Sequence, residues 1–233
     1  MTKHIIEEIE AFGSPSSAKQ CGRFFQTGPG QYGYGDKFCG ASVPDLRKVA
    51  KKYSNISSIE IEKLLQNSLH EARFVALVLL IEKFKTVPEE VISVYLANTR
   101  FINNWDLVDV AAYRICGAYC QKNNGTDIIW KLAKFDNLWE NRIAIVSSFA
   151  FIKNGNLQLT IDLCEHFLNH PHHLMHKACG WMLREVGKRD TNLLLNFINS
   201  HKLPGIMKSY ALEIIRKSIP SSSSINEKPL IIS

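Results

Sequence analysis

The segment FINNWDLVD places Trp105 and Asp109 four residues apart, so on a helix both side chains leave one face while Asp106 turns away. A carboxylate beside an indole can hold a cation, because the carboxylate supplies charge and the ring face a negative quadrupole. The same pattern also fits a core tryptophan followed by an aspartate near a helix N-terminus. Further along, in DNLWENRIAIV, Arg142 precedes an apolar run. Its planar fork suits either a phosphate or a salt bridge between neighbouring helices, with Asp109 as a candidate partner. A third charged segment, MHKACGWMLREVGKRD, carries Lys177, Trp181, Arg184, Lys188 and Arg189. Trp181 again fits either a core or a cleft. Arg184 and Lys188 share a face and give the helix a basic end suited to a phosphate backbone.

Other clusters point less sharply. GPGQYGYGDKFCG has five glycines but no G-K-[ST] and no preceding strand, so it reads as a structured loop with Tyr32 and Tyr34 exposed rather than as a nucleotide fingerprint. Past Pro44, the residues Arg47, Lys48, Lys51 and Lys52 form a basic stripe. Phosphate binding, with Arg47 and Lys51 as contacts, and simple solvation explain that stripe equally well. CEHFLNHPHHLMH contains five histidines and one cysteine, with His166 and His170 at ligand spacing. Pro171 interrupts the run and no H-E-x-x-H glutamate accompanies it, so surface imidazoles are expected and a metal is not. The six cysteines contain no C-x-x-C pair and read as reduced thiols, mostly buried as small apolar groups.

The elements that must position these side chains are helices. Apolar residues recur with a period near 3.6 over 3–13, 17–26, 43–53, 58–67, 71–84, 88–98, 105–121, 126–134, 139–153, 157–168, 172–187, 190–199 and 206–218. Gly13-Ser14-Pro15, Val43-Pro44-Asp45, Asn123-Asn124-Gly125, His170-Pro171 and Leu203-Pro204-Gly205 separate them. No stretch reads as a strand, so the expected class is all-α. Arg73, Asp109, Arg142 and Lys177 occupy equivalent places in four helices, separated by 36, 33 and 35 residues. That period predicts a HEAT-like helical repeat solenoid of antiparallel helix pairs, residues 1–219, with a concave basic groove. The Ser-rich segment 220–233 reads as a flexible tail.

Composition fits this frame. The chain has 233 residues, 45% of hydrophobic and 21% of charged types, enough for a continuous core and unlike a disordered or disulfide-stapled chain. Its longest apolar run, Phe74 to Ile81, falls well short of the roughly 20 residues a bilayer requires. The first residues, MTKHIIEEIEAF, lack a secretory signal, and a cytoplasmic protein without a membrane partner is expected. Residues 1–116 carry a net charge of +1 and residues 117–233 carry +5, so the basic half favours an anionic partner.

Taken together, YGYGDKFCGASVPDLRKVAKKY, NNWDLVD, NRIAIVSSFAFIK and KACGWMLREVGKRD resemble, in order, the signature segments of the AlkD-type DNA alkylation repair proteins, HEAT-like repeat alkylpurine DNA glycosylases. The resemblance implies that Asp109 is the catalytic carboxylate, that Trp105 and Trp181 border the sugar of the lesion, and that Arg142 contacts the DNA backbone. It implies release of positively charged N3- or N7-alkylated purines, 3-methyladenine and 7-methylguanine among them, from double-stranded DNA in base excision repair. The enzyme would be monofunctional and monomeric, with no cofactor and no pocket for a flipped base. One departure is the last helix, MKSYALEIIRKSI, where the family has a motif close to LRYAIE; basic and aromatic positions read there as replaced or shifted. That departure supports an alternative, a non-catalytic helical-repeat protein binding damaged or branched DNA. A HEAT-type protein scaffold is a third reading, and it predicts an apolar or acidic inner face.

Overall fold

The computed structural model describes residues 1–213, so the Ser-rich tail expected at 220–233 lies outside the described residues. In chain order the helices are α1 (Thr2–Ala11), α2 (Pro15–Phe24), α3 (Val43–Lys52), α4 (Ser58–Leu65), α5 (His70–Lys83), α6 (Pro88–Ala97), α7 (Trp105–Ala111), α8 (Ala118–Lys122), α9 (Asp127–Ala133), α10 (Leu138–Ser147), α11 (Phe149–Lys153), α12 (Gln158–His166), α13 (His173–Gly187), α14 (Thr191–Ser200) and α15 (Gly205–Ala211). Among the described residues there is no strand, only one isolated bridge between Lys37 and Leu69. No described helix is long and apolar enough to cross a membrane. The chain has an all-α helical repeat fold.

Helix starts follow the capping chemistry of the sequence. Ser14, Ser42 and Ser57 each accept a backbone N–H from the first turn of α2, α3 and α4, and Pro15 and Pro44 stand where a missing N–H costs nothing. Asn104 caps α7, Asn137 caps α10 and Asp190 caps α14 in the same way.

Two expected helices are interrupted. The 105–121 span is α7, a π-helical turn over Tyr113–Gly117, and α8. The amide of Gly117 reaches back to the carbonyl of Ala112, and the Ser147 hydroxyl donates to that same carbonyl at 3.3 Å. A Cβ on Gly117 would lie 2.2 Å from the Ser147 carbonyl oxygen, so glycine there lets α10 approach the turn. The 139–153 span divides at Ser148, whose hydroxyl donates to the Ile145 carbonyl at 2.7 Å and draws the chain out of regular α geometry.

α5 and α10 are the centre of the molecule. Every residue from His70 to Leu80 is buried, and so is every residue of α10 from Asn141 to Ser147, so neither helix has a solvent face. α5 packs on α7, α7 on α10 and α10 on α13, forming a continuous inner row. α3 and α4 back α5, α9 backs α10, and α12, α14 and α15 surround α13. Arg73, Asp109, Arg142 and Lys177 thus stand on four successive inner helices, as the repeat of their positions requires. Arg73 and Arg142 are nonetheless only 5% exposed, so two of the four charges at this repeat position are buried and do not line the concave basic groove expected from it.

Candidate active site

Trp105 opens α7 and Asp109 follows one turn later, and both border a cleft of about 430 Å³ between α7, α10 and α13. The carboxylate of Asp109 is gripped by Arg142 on α10: Nε donates to Oδ1 at 2.9 Å and Nη2 to Oδ2 at 2.8 Å. The remaining arm of Arg142 donates to the Leu174 carbonyl on α13 at 2.6 Å, so one guanidinium ties three inner helices together. Arg142 therefore takes the salt-bridge alternative, and its position beneath Asp109 is set by that pairing rather than by exposure. Asp109 itself keeps 21% of its side-chain surface open to the cleft.

Burial pushes the Asp109 carboxyl above the usual carboxylate range, and the Arg142 guanidinium only partly reverses this. A cation entering the cleft is thus met by a fixed, poorly hydrated carboxylate. Trp105 is stacked on Phe25 at 5.4 Å between ring centres, which fixes its face. Trp181 on α13 also borders the cleft and rests against Phe149 at 6.2 Å.

Lys177 and Arg184 line the cleft from α13, but their charges differ in availability. Lys177 has no carboxylate within ion-pair distance among the described residues. Arg184 pairs with Glu213 and lies 3.5 Å from Glu185, and Lys188 closes on the same Glu185 at 2.7 Å. The basic end expected on this helix is therefore largely compensated internally. Lys188 and Arg189 are exposed and lie beyond the cleft lining. Arg47 and Lys51 border a different depression with Val78 and Glu82, where Arg47 covers the Phe74 ring at 5.9 Å. The structure does not bring these two to Asp109.

Besides His173 and Leu174 at the start of α13, four cleft residues escaped the sequence reading or were misplaced by it. Tyr32 is half-buried in the cleft wall, edge-on to Trp139 at 5.9 Å, whereas Tyr34 is 66% exposed as expected. Phe24, 65% exposed, stands edge-on to Trp105 at 5.7 Å. Gln26 borders the cleft with φ 54°, a left-handed backbone rare outside glycine. Tyr210 on α15 also lines it, so the atypical last helix does keep an aromatic ring at the site. A cue was available for Tyr210 in Gly180, whose missing Cβ lets α15 close on α13. Nothing local marks Gln26.

Behind Trp105 lies a buried polar cluster. His70 on α5 bridges Asp36 (Nδ1 to Oδ2, 3.0 Å) and Asp106 (Nε2 to Oδ2, 2.8 Å). Asp36 also accepts from Arg73 at 2.7 Å and Asn103 at 3.0 Å. Burial opposes charge at Asp36, yet the hydrogen bond from His70 and the Arg73 charge bring its pKa down to about 2. Burial likewise opposes charge on His70, and hydrogen bonds to Asp106 and Asp36 more than offset it, so its pKa is raised. The cluster fastens the glycine-rich loop, α5 and the first turn of α7 together, and thereby sets where Trp105 and Asp109 stand.

Four of the five histidines of the 164–176 segment serve the backbone, and the fifth, His173, borders the cleft. His172 caps α13 by accepting the Leu174 amide, and His176 meets the His170 carbonyl at 2.7 Å. Among the described residues no group of His, Cys, Asp and Glu is placed to hold a metal ion. All six cysteines are free, four of them buried.

Against known proteins, residues 5–215 match the family described as DNA alkylation repair enzyme. A solved structure from Enterococcus faecalis, described as a predicted DNA alkylation repair enzyme, superposes with a TM-score of 0.73 at 17% identity, covering 88% of this chain and 98% of that one. No curated protein matches the chain.

Proposed function

The chain belongs to the DNA alkylation repair enzyme family, and from that premise we propose that it is a monofunctional DNA glycosylase releasing positively charged N3- or N7-alkylated purines. The observation that carries the reading is the Asp109 carboxylate, held in the Arg142 fork and open to a cleft bordered by Trp105 and Trp181. In hydrolysis of the N-glycosidic bond the C1′–N bond breaks and its electron pair goes to the base, cancelling the base's positive charge. The sugar becomes an oxocarbenium-like cation. Asp109 stabilises that cation electrostatically and orients the water that adds to C1′, whose proton passes to solvent to leave the sugar hydroxyl beside the neutral base. Trp105 and Trp181 present their electron-rich faces to the same cation.

A cationic substrate also resolves the cost of an ionised, half-buried Asp109. Positive charge arriving beside the carboxylate favours its ionised form, so the substrate completes the electrostatics of the site. In this reading selection follows base charge more than base shape, and the base need not enter an enclosed pocket, the usual destination of a flipped nucleotide. Lys177, which pairs with no carboxylate among the described residues, supplies a cation for the backbone of the duplex.

The test is base release from duplex DNA carrying N7-methylguanine or N3-methyladenine, wild type beside Asp109→Asn. Wild type should free the base, and the variant should bind with little loss while releasing at least about a hundredfold less. Binding by the wild type without any free base would establish the non-catalytic alternative instead.

A further inference from the structure

Beyond the cleft, the end of α5, the π-helical turn after α7, α8 and α11 enclose a second depression of about 360 Å³, lined by Lys85, Arg114 and Lys153 together with Ile81, Phe84 and Tyr113, and without a carboxylate in its lining. We propose that this depression is a phosphate-binding subsite that holds the backbone of the duplex a few base pairs from the lesion. The proposal rests on the glycosylase reading for its choice of ligand, and its geometry is independent of the catalytic residues.

Two cations share one ring there. The Arg114 guanidinium lies 4.3 Å from the centre of Tyr113 and the Lys153 ammonium 5.1 Å, with Lys153 also 5.2 Å from Phe149. Among the described residues neither cation has an ion-pair partner, whereas Lys85 is paired with Glu82 at 2.5 Å. Like charges gathered around one aromatic ring repel unless an anion joins them, and the ring does not supply a full negative charge. A phosphodiester does.

Packed aromatic side chains link the subsite to the cleft. Tyr113 meets Phe149 edge-on at 5.1 Å, and Phe149 meets Trp181 at 6.2 Å, so a row of rings runs from the catalytic wall to the depression. From Asp109 to Tyr113 is four residues, about 6 Å of helix rise. Phosphates of one strand advance about 3.4 Å per base pair along the duplex, so that distance spans roughly two steps. A duplex laid against Asp109 would thus carry its backbone over Arg114 and Lys153. Lys85, exposed, can exchange Glu82 for the same phosphates.

The experiment measures binding of unmodified and N7-methylguanine duplexes against salt concentration for wild type, Arg114→Gln/Lys153→Gln and Asp109→Asn. The double variant should lower the slope of log K against log salt by about two, equally on both duplexes. Its single-turnover base release at saturating DNA should match wild type. Both side chains are at least partly open, and a melting temperature within a few degrees of wild type confirms that the fold is kept. An unchanged slope in the folded variant overturns the subsite. So does binding of inorganic phosphate or a mononucleotide at the depression without any change in duplex slope. Failure of wild type to release base leaves this readout intact and counts against the glycosylase reading alone.

Discussion

Asp109 and Arg142 meet as two parallel hydrogen-bonded pairs, at 2.9 and 2.8 Å, across the contact between α7 and α10. The arrangement fixes both carboxylate oxygens, so in the proposed glycosylase reaction the nucleophilic water and the developing sugar cation would encounter a carboxylate that need not reorient. It also leaves Arg142 without a choice of conformation, because its third nitrogen is held by the Leu174 carbonyl.

Arg142→Ala should therefore cost both stability and chemistry. Breaking a buried pair while leaving the partner charge in place destabilises by about 3 kcal/mol or somewhat more, measurable by urea denaturation. Arg142→Lys keeps the charge but loses the fork, and base release should fall at least about tenfold with the fold retained. Equal activity of Arg142→Lys and wild type would show that the orientation of Asp109 is not set by the guanidinium.

The pH profile reads Asp109 directly. Because burial raises its pKa, and Arg142 only moderates the rise, single-turnover release should lose activity on the acid side with a midpoint above the ordinary aspartate value. Bound cationic substrate should draw that midpoint down relative to free enzyme. In Arg142→Lys, where the carboxylate loses its bidentate partner, the acid limb should move to still higher pH. A limb that tracks the ordinary aspartate value would remove the desolvated carboxylate from the mechanism.

The buried cluster behind Trp105 gives stability a pH dependence of its own. His70 has a raised folded-state pKa, so its contribution is complete below the unfolded value of about 6.5 and is lost as pH rises through the folded one. Asp36, at about 2 in the folded state, contributes above its unfolded value and loses that contribution as pH falls toward 2. His70→Gln should lower stability by about 3 kcal/mol near pH 6 and by less near pH 9. Denaturation curves for variant and wild type that stay parallel across that range would exclude a protonated His70.

Sequence periodicity carried the fold a long way, because helices buried on one or all faces write their apolar spacing directly into the chain. The π turn after α7 was illegible for the same reason: Tyr113 to Gly117 keep a helical pattern, and the extra residue is set by a contact with Ser147 far along the chain. At the site, Trp105, Asp109, Arg142 and Trp181 could be named from spacing and resemblance, and the fork between Asp109 and Arg142 was one of two open pairings. Tyr32, Phe24 and Gln26 come to the cleft through a loop whose course depends on tertiary contacts such as Asp36 with His70. The compensation of Arg184 and Lys188 by Glu185 and Glu213 was equally hidden, since net charge does not say which charges meet.

The two cleft tryptophans should act on the cation rather than on binding. A ring face near a partly desolvated cation is worth about 1–2 kcal/mol, so Trp105→Leu and Trp181→Leu should each slow release roughly five- to thirtyfold at saturating DNA. Loss confined to affinity, with the saturated rate unchanged, would assign the rings to docking.

Gly180 tests whether α15 belongs to the site. A Cβ there would lie 2.6 Å from both the Met207 carbonyl oxygen and the Tyr210 Cβ, and neither is the free end of a flexible chain. Gly180→Ala must push α15 away from α13, at a cost of about 1–3 kcal/mol typical of overpacking. Tyr210 then leaves the cleft wall while Asp109, Arg142 and Trp105 stay in place. Base release should fall in Gly180→Ala to the level of Tyr210→Ala, with the acid limb of the pH profile unmoved. If Gly180→Ala is destabilised but releases base at the wild-type rate, Tyr210 is a bystander and the departure of the last helix from the family pattern has no bearing on the chemistry.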